Sequence, residues 1–501
     1  MSNTNKLDCF DHVVVLMLEN RSFDNMLGYL SSKVDGVKGK GLSNPPPTRA
    51  DGKPVDGADQ GNIEVSAGTV MDNPNPDPGE YYPHVNTQLF NCVDPSSNAF
   101  QSDYAKFEAP YNLPNNCDAT MQGFVQDYYN NYVATQGKEP TRAEYSVIMN
   151  CFPTEVVPVI SGLAENFAVF DQWHCAVPSQ TFCNRSFFNA GTSNGQVVNA
   201  PFDKWLSYDA ETIFNRLEDK GIDWAVYFDP EDVFPLTLLI HFKKLWPFIF
   251  SDHFRHMDRF YEDVENGKLP AYSFVEPRLF LNHNDQHPPI QIFGVTQPST
   301  VTAGELLMNQ VYDAIRTSNC PTGSNSSNTL LTITYDEHGG CFDHVAPPAA
   351  TPPSATPGQM GFTFDRLGVR VSTVMISAWI ESGTVISEKM QHTSMLKTLS
   401  MKWDFDALTP RDASAPDFLS VFNRDTPLPG DQWQTFTPCE QPAAAEGKDN
   451  RQVPLNELQR AIVNTINSIG QDHPPKPIGD DMLVGEALDF MRHKWSTMKL
   501  N

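Results

Sequence analysis

His12 to Leu18 is a seven-residue apolar run with valine at positions 13 to 15, and it breaks abruptly at Glu19-Asn20-Arg21-Ser22. An uninterrupted run of this kind reads as a strand covered on both faces, and its polar end as the loop that follows a parallel strand. Thr329 to Thr334 repeats the pattern and runs into Tyr335-Asp336-Glu337-His338-Gly339-Gly340. Phe167 to Phe170, Trp224 to Phe228, Tyr272 to Val275 and Val369 to Ala378 read as further strands. Helical periodicity appears near Thr154 to Asn166 and from Gly304 to Ser318, where Leu307, Val311, Ala314 and Ile315 fall near one face. This alternation predicts an α/β fold with a mainly parallel central sheet flanked by helices. In such sheets, sites are built beyond the carboxyl ends of the strands.

Other stretches refine the outline. Asp51 to Asn116, rich in Pro, Gly, Asn and Asp, reads as a long loop insertion lying over the domain. Val233 to Phe250 is the most apolar stretch, but Pro235, His241, Lys243, Lys244 and Pro247 interrupt it. It therefore makes no membrane span; it reads either as core or as an aliphatic and aromatic surface that receives acyl chains, with transient membrane contact. Beyond Trp403 the composition turns loop-like, with a Pro/Ala-rich linker near Pro438 to Gly447 and a helical tail from Leu455. The expected organisation is one catalytic domain, residues 1–425, with a linker and helical tail, residues 426–501, packed on it or capping it.

Composition narrows the partners. The 501 residues are 40% apolar and 11% aromatic, enough for a sizeable core. Sixty-one acidic against 35 basic residues give a net charge of -26, which repels nucleic acid and anionic bilayers. The first residues show no basic segment followed by an apolar one, so a cytoplasmic location, or export without a cleavable signal, is expected. Nine cysteines without Cys-x-x-Cys spacing fit reduced thiols better than a zinc ribbon or a disulfide framework. Nothing in the sequence specifies an oligomeric state.

The chemistry concentrates where strands end. Glu19-Asn20 and Asp336-Glu337 would lie at the same edge of a parallel sheet and converge on one hard or borderline divalent cation, whether calcium, zinc or magnesium. The plain alternative is that each pair is a solvated loop or a helix cap. Thr181 precedes a predicted helix, Phe182 to Ala190, so its hydroxyl would face the positive end of the helix dipole, either as a nucleophile or as an ordinary cap. Asn184 and Arg185, one turn in, would contact phosphate or tie down the loop. Histidines follow the same segments: His84, His287, His338, His344 and His392. Among these, Asp285-x-His287 offers a carboxylate to orient a ring, whereas His84 lies in what reads as irregular loop.

The segments VVVLMLENRSFDNMLGYL, VPSQTFCNR, NDQHPP, LLTITYDEHGGCFDHVAPP and RLGVRVSTVMISAWIESGTV together resemble the phosphoesterase family of bacterial phospholipases C, plant non-specific phospholipases C and related acid phosphatases. The likeness spans residues 10 to about 425, and the Asp-Glu-His-Gly-Gly and Trp-Ile-Glu-x-Gly-Thr-Val forms look closest to the plant-type enzymes. The resemblance implies an alkaline-phosphatase-like fold and one divalent metal ion. It matches Glu19, Asn20, Asp336 and Glu337 to metal ligands and Thr181 to a nucleophile that also ligates the metal. It matches His84 and His287 to phosphate-contacting histidines and Asp285 to an acidic neighbour, with His338 and His344 nearby. Gln286, Cys341 and Ser372 depart from the family pattern; Cys341 and Ser372 are expected to affect packing without touching a ligand.

These matches imply a metal-dependent phosphoric-ester hydrolase working through phospho-threonine, acting on phosphatidylcholine-like diesters and contacting the phospholipid head group. A broad acid phosphatase acting on phosphorylated small molecules is the alternative, and a non-catalytic phosphate- or lipid-binding module is a third.

Overall fold

A computed structural model describes residues 6–49, 51–55, 61–115, 118–289, 291–292, 295–296, 300–440, 450–470, 477–479 and 481–498. The valine-rich first run becomes the middle of an eight-stranded sheet. Its strands are β1 (His12–Leu18), β2 (Ala168–Phe170), β3 (Trp224–Phe228), β4 (Phe254–His256), β5 (Tyr272–Val275), β6 (Thr329–Tyr335), β7 (Thr373–Ile376) and β8 (Thr384–Ile386). They lie in the order β8-β2-β7-β6-β1-β5-β3-β4. β1 pairs in parallel with β6 on one side and β5 on the other. Only β7 runs against its neighbours, β6 and β2. The mixed, mostly parallel sheet is the one that the alternation predicts.

Val13 to Leu18 are all buried, as is every residue of β6. Burying each such side chain stabilises by roughly 1.5–3 kcal/mol, so β1 alone contributes on the order of 10 kcal/mol before chain entropy is counted. That rigidity fixes the strand ends, and hence the site. Helices flank the sheet: α1 (Phe23–Leu27), α2 (Tyr82–Phe90), α3 (Phe124–Gln136), α4 (Pro158–Asn166), α5 (Thr181–Ala190), α6 (Val301–Thr317), α7 (Thr393–Trp403), α8 (Glu457–Ser468) and α9 (Val484–Met498). Val159 and Leu163 of α4, Val311 and Ile315 of α6, and Leu396 and Leu399 of α7 join the strands in one apolar core. A second cluster joins Phe182 and Phe187 of α5 to Leu458 and Ile462 of α8 and Leu488 of α9. In the Pro/Ala-rich linker, residues 441–447 lie outside the described residues.

Two sequence expectations are corrected. His84 does not lie in irregular loop: Pro83 occupies the first turn of α2, where its missing N–H costs nothing, and the helix carries His84. Val233 to Phe250 is core rather than an acyl-receiving surface. Pro235 and Pro247 divide it into the short segments Leu236–Ile240, Phe242–Leu245 and Trp246–Phe248. Leu236, Leu238, Leu239, Ile240 and Leu245 are buried, and Phe248 packs on Trp224, leaving Phe250 as the large exposed apolar residue of the stretch at 59% exposure. Lys243 and Lys244 pair with Asp209 at 2.5 and 3.2 Å. Among the described residues no helix is long and apolar enough to cross a membrane.

Candidate active site

In the register of the central pair, Leu18 stands beside Tyr335. Glu19-Asn20 and Asp336-Glu337 therefore leave the sheet together at one edge. The Asn20 backbone turns into the left-handed region (φ 59°), and its N–H donates to Asp336 Oδ1 at 3.1 Å. Thr181 opens α5, with Gln180 in the cap position. The Thr181 hydroxyl does not cap the helix but donates to Glu19 Oε2 at 3.2 Å. All five side chains are buried.

One turn into α5, Arg185 reaches back to the same strand ends. Its Nη2 donates to Glu19 Oε1 at 2.5 Å and to the Met17 carbonyl at 3.1 Å, while its Nε donates to Asp336 Oδ2 at 3.3 Å. Burial and the nearby carboxylate of Asp336 hold the Glu337 carboxyl well above the usual range. Burial does the same to Glu19, although Arg185 opposes it. Glu337 Oε2 accepts from the Gly339 N–H at 2.8 Å, but Glu337 Oε1 and Asn20 Oδ1 are buried with no hydrogen-bond partner. An unpaired buried acceptor costs about 1–3 kcal/mol, so two of them beside three carboxylates and one guanidinium mark a place for a cation. Oxygen donors of this kind, one of them a neutral amide, fit a hard or borderline divalent ion.

The remaining predicted residues divide. Asp285 is at the site edge, its carbonyl accepting from the Glu19 N–H at 2.8 Å. Its carboxylate does not orient the His287 ring as expected. It accepts from the His287 backbone N–H at 3.0 Å and pairs with the ring of His283 at 2.7 Å, and between the two residues Gln286 takes a left-handed backbone (φ 73°). That ring instead points Nε2 at Glu80 Oε1, 3.5 Å away. His84 is committed elsewhere, its Nδ1 2.7 Å from Asp127 Oδ1. Burial would lower this ring, but the Asp127 carboxylate outweighs it and holds His84 above its ordinary value.

Asn184 contacts no site oxygen: it accepts from the Val177 N–H at 2.9 Å and donates to the Ser179 carbonyl at 2.7 Å, tying down the loop before Thr181. His338 is buried with Nε2 on Gln88 at 2.8 Å, and burial pushes its ring down to about 3. His344 belongs to a separate network with Asp24 (2.6 Å), Asp35 (3.3 Å) and Arg370. His392 sits behind the strand ends, its Nε2 2.6 Å from the Asp336 carbonyl. Cys341, expected to touch no ligand, directs its thiol at the Asn20 carbonyl, 3.7 Å away.

Sequence reasoning passed over four participants: Asp77, Glu80, Gln180 and Glu457. Asn20 Nδ2 donates to Glu80 Oε1. Gln180 Nε2 donates to Glu457 Oε1 of α8 at 2.6 Å, linking the tail to the loop before Thr181. The one local signal for the first two was the turn Asp77-Pro78-Gly79-Glu80. There a Cβ on Gly79 would lie 2.4 Å from the His84 ring, so only glycine lets the loop close.

A family model for the phosphoesterase family matches residues 10–406. The chain is 32% identical to non-specific phospholipase C6 of Arabidopsis thaliana over 96% of this chain and 85% of that protein. It is 25% identical to phospholipase C A of Mycobacterium tuberculosis over 83% and 78% of the two chains. Among solved structures it is similar to a protein in the alkaline phosphatase superfamily from Vibrio parahaemolyticus, with a TM-score of 0.34 and 12% identity over 58% of this chain and 78% of that one. The chain belongs to the phosphoesterase family and is a phosphoric-ester hydrolase.

Proposed function

We propose that the chain is a metal-dependent phospholipase C that cleaves phosphatidylcholine-like diesters through a phospho-threonine intermediate. The observation that carries this reading is the Thr181 hydroxyl, held 3.2 Å from Glu19 at the start of α5 and beside the buried acceptors of the strand ends. Glu19, Asn20, Asp336, Glu337 and Thr181 would hold the ion. When bound, the ion lowers the hydroxyl's pKa and offsets negative charge on the ester phosphate.

The chain's own groups do the rest. Glu19 Oε2 accepts the hydroxyl proton and aims the oxygen, while Asn184 fixes the loop that presents it. Thr181 Oγ1 forms the bond to phosphorus as the bond to the diglyceride oxygen breaks, and that oxygen leaves as the alcohol, taking up the proton that Glu19 received from Thr181. Water then cleaves the Thr181 phosphodiester, releasing the phosphorylated head group and restoring the hydroxyl.

The preference for diesters is supported by relatives named phospholipases C, not by Val233 to Phe250, which is core. The test compares hydrolysis of short-chain phosphatidylcholine with that of p-nitrophenyl phosphate and seeks a phosphocholine adduct on Thr181 by mass spectrometry after acid quench. Faster diester turnover and an adduct lost in Thr181→Ala are expected. Faster monoester turnover would make the enzyme an acid phosphatase. Thr181→Ala activity within about tenfold of wild type would remove the nucleophile assignment.

A further inference from the structure

The loop that carries Glu337 is gripped from outside the sheet by buried side chains that the reaction above does not use. Gln88 of α2 is at their centre. Its Oε1 accepts from His338 Nε2 at 2.8 Å, and its Nε2 donates to the Gly79 carbonyl and to Asp127 Oδ2 of α3, each at 2.8 Å. The other Asp127 oxygen holds His84 Nδ1 at 2.7 Å. His84, Gln88, Asp127 and His338 are all buried. One path of hydrogen bonds thus runs from α3 through α2 to the residue that follows Glu337. We propose that Gln88 is a positioning residue of the active site, fixing the His338 ring and the turn that aims the Glu337 carboxylate.

The direction of each bond is set by its chemistry. A carboxylate and a backbone carbonyl can only accept, so the Gln88 amide must turn its two N–H groups to Asp127 and Gly79 and its oxygen to His338. His338 must then carry its proton on Nε2. Its Nδ1 is left bare, buried without a hydrogen-bond partner and 3.2 Å from Glu337 Oε2. That contact of two acceptors does not hold the ring; Gln88 does, with Phe124 at the start of α3 packed edge-on at 6.4 Å. Without Gln88 the ring is free to carry its proton on Nδ1 and donate to Glu337 Oε2. An imidazole N–H there would occupy a carboxylate that the proposed reaction needs for the ion, so the inference rests on that reading of Glu337.

The same amide braces the turn. Gly339 and Gly340 have left-handed backbones (φ 60° and 65°), and the Gly339 N–H donates to Glu337 Oε2 at 2.8 Å. The turn is wedged from two sides. A Cβ on Gly339 would lie 2.4 Å from the Asn20 carbonyl, and one on Gly340 would lie 2.7 Å from the Gly79 carbonyl and 3.2 Å from Gln88 Nε2. By holding Gly79, Gln88 closes the side that Asn20 leaves open, and so fixes the N–H that Glu337 accepts.

The test is steady-state kinetics of the full chain, on whichever of p-nitrophenyl phosphate and short-chain phosphatidylcholine it hydrolyses faster. Gln88→Met should lower kcat by about 10- to 100-fold, the usual range for a residue that orients a ligand. KM should stay within about twofold of wild type, because no substrate contact is lost. Gln88→Glu should fall likewise, since its carboxylate meets the acceptors of Asp127 and Gly79. Adding Asp127→Asn to Gln88→Glu puts a donor opposite an acceptor again, with the amide now on α3, and should recover kcat severalfold. Nitrogen NMR of isotope-labelled histidine, with His338 assigned by its loss in His338→Gln, should show Nε2 protonated in the wild-type chain. A Gln88→Met kcat within about twofold of wild type would overturn the proposal. So would a double variant no faster than Gln88→Glu, or a wild-type His338 protonated on Nδ1, and the last holds even if the Gln88 variants fail to fold. Glu337→Gln separates the two readings: full activity there would overturn the role of Glu337 and this inference with it, whereas an inactive Glu337→Gln beside a fully active Gln88→Met overturns this inference alone.

Discussion

Arg185→Met tests whether the buried guanidinium competes with the proposed cation for the same carboxylates. In the folded chain Arg185 is fully buried and bonds Glu19 at 2.5 Å, Asp336 at 3.3 Å and the Met17 carbonyl at 3.1 Å. Removing one member of a buried ion pair typically costs about 3–5 kcal/mol, because the partners are left uncompensated. An unfolding entropy of about 2.1 cal/mol/K per residue, over this length, makes 1 kcal/mol worth about 1 °C, so the metal-free variant should melt roughly 3–5 °C below wild type. Metal changes the comparison. Without Arg185 as a competing positive charge, Glu19 and Asp336 should bind a divalent ion more tightly, and each tenfold gain adds about 1.4 kcal/mol of ligand-linked stability. The assay is scanning calorimetry of both proteins, in chelator and in saturating metal. The expected result is a larger melting-temperature gap between metal-bound and metal-free forms in the variant. An equal or smaller gap would show that Arg185 does not share its carboxylates with a cation.

Three further outcomes follow from the geometry. Asn184→Ala removes loop bonds to Val177 and Ser179, each worth about 0.5–1.5 kcal/mol; turnover should fall at least tenfold while metal content, read by elemental analysis, stays at the wild-type value. Glu457→Gln breaks the charged partner of Gln180; kcat/KM should fall severalfold with metal content unchanged, and unaltered kinetics would show that the tail contact does not position the loop. Glu305 of α6 accepts backbone N–H groups from Val159 (2.6 Å) and Ile160 (3.0 Å), yet burial pushes its carboxyl up to about 8. The folded chain then keeps a proton that the unfolded chain loses near its ordinary value of about 4.5, so this group's effect on stability is most favourable below that pH and declines up to about pH 8. Glu305→Gln should gain stability relative to wild type by a few kcal/mol between pH 5 and pH 8, and parallel melting curves would refute it.

What the sequence could reveal follows from the range of the forces involved. β1 and β6 were legible because a strand buried on both faces leaves a continuous apolar run, and the acidic pairs at their ends followed from the rule that parallel strands end together. Thr181 was legible from its place at the start of a helix. The reversal of β7 was not, because an apolar run of four residues carries no direction. His84 was misplaced because proline marks both loops and first helical turns, and only packing separates the two. Glu80 and Glu457 were missed for another reason: their partners, Asn20 and Gln180, are 60 and 277 residues away, and nothing local records such a contact.

Asn20 also says something about how this protein can change over generations. Its left-handed backbone (φ 59°) admits few residue types, chiefly glycine, asparagine and aspartate. Gly339 presses on the same turn so closely that a Cβ there would lie 2.4 Å from the Asn20 carbonyl, so the strain cannot be relieved from that side. Glycine at position 20 would keep the turn but remove both the amide held by Glu80 and the unpaired oxygen. Aspartate would keep an oxygen but set another carboxylate against Glu80. Backbone conformation and polar chemistry thus overlap on a single amino acid, and descendants of this chain that keep the reaction have no neighbouring residue to drift to at position 20.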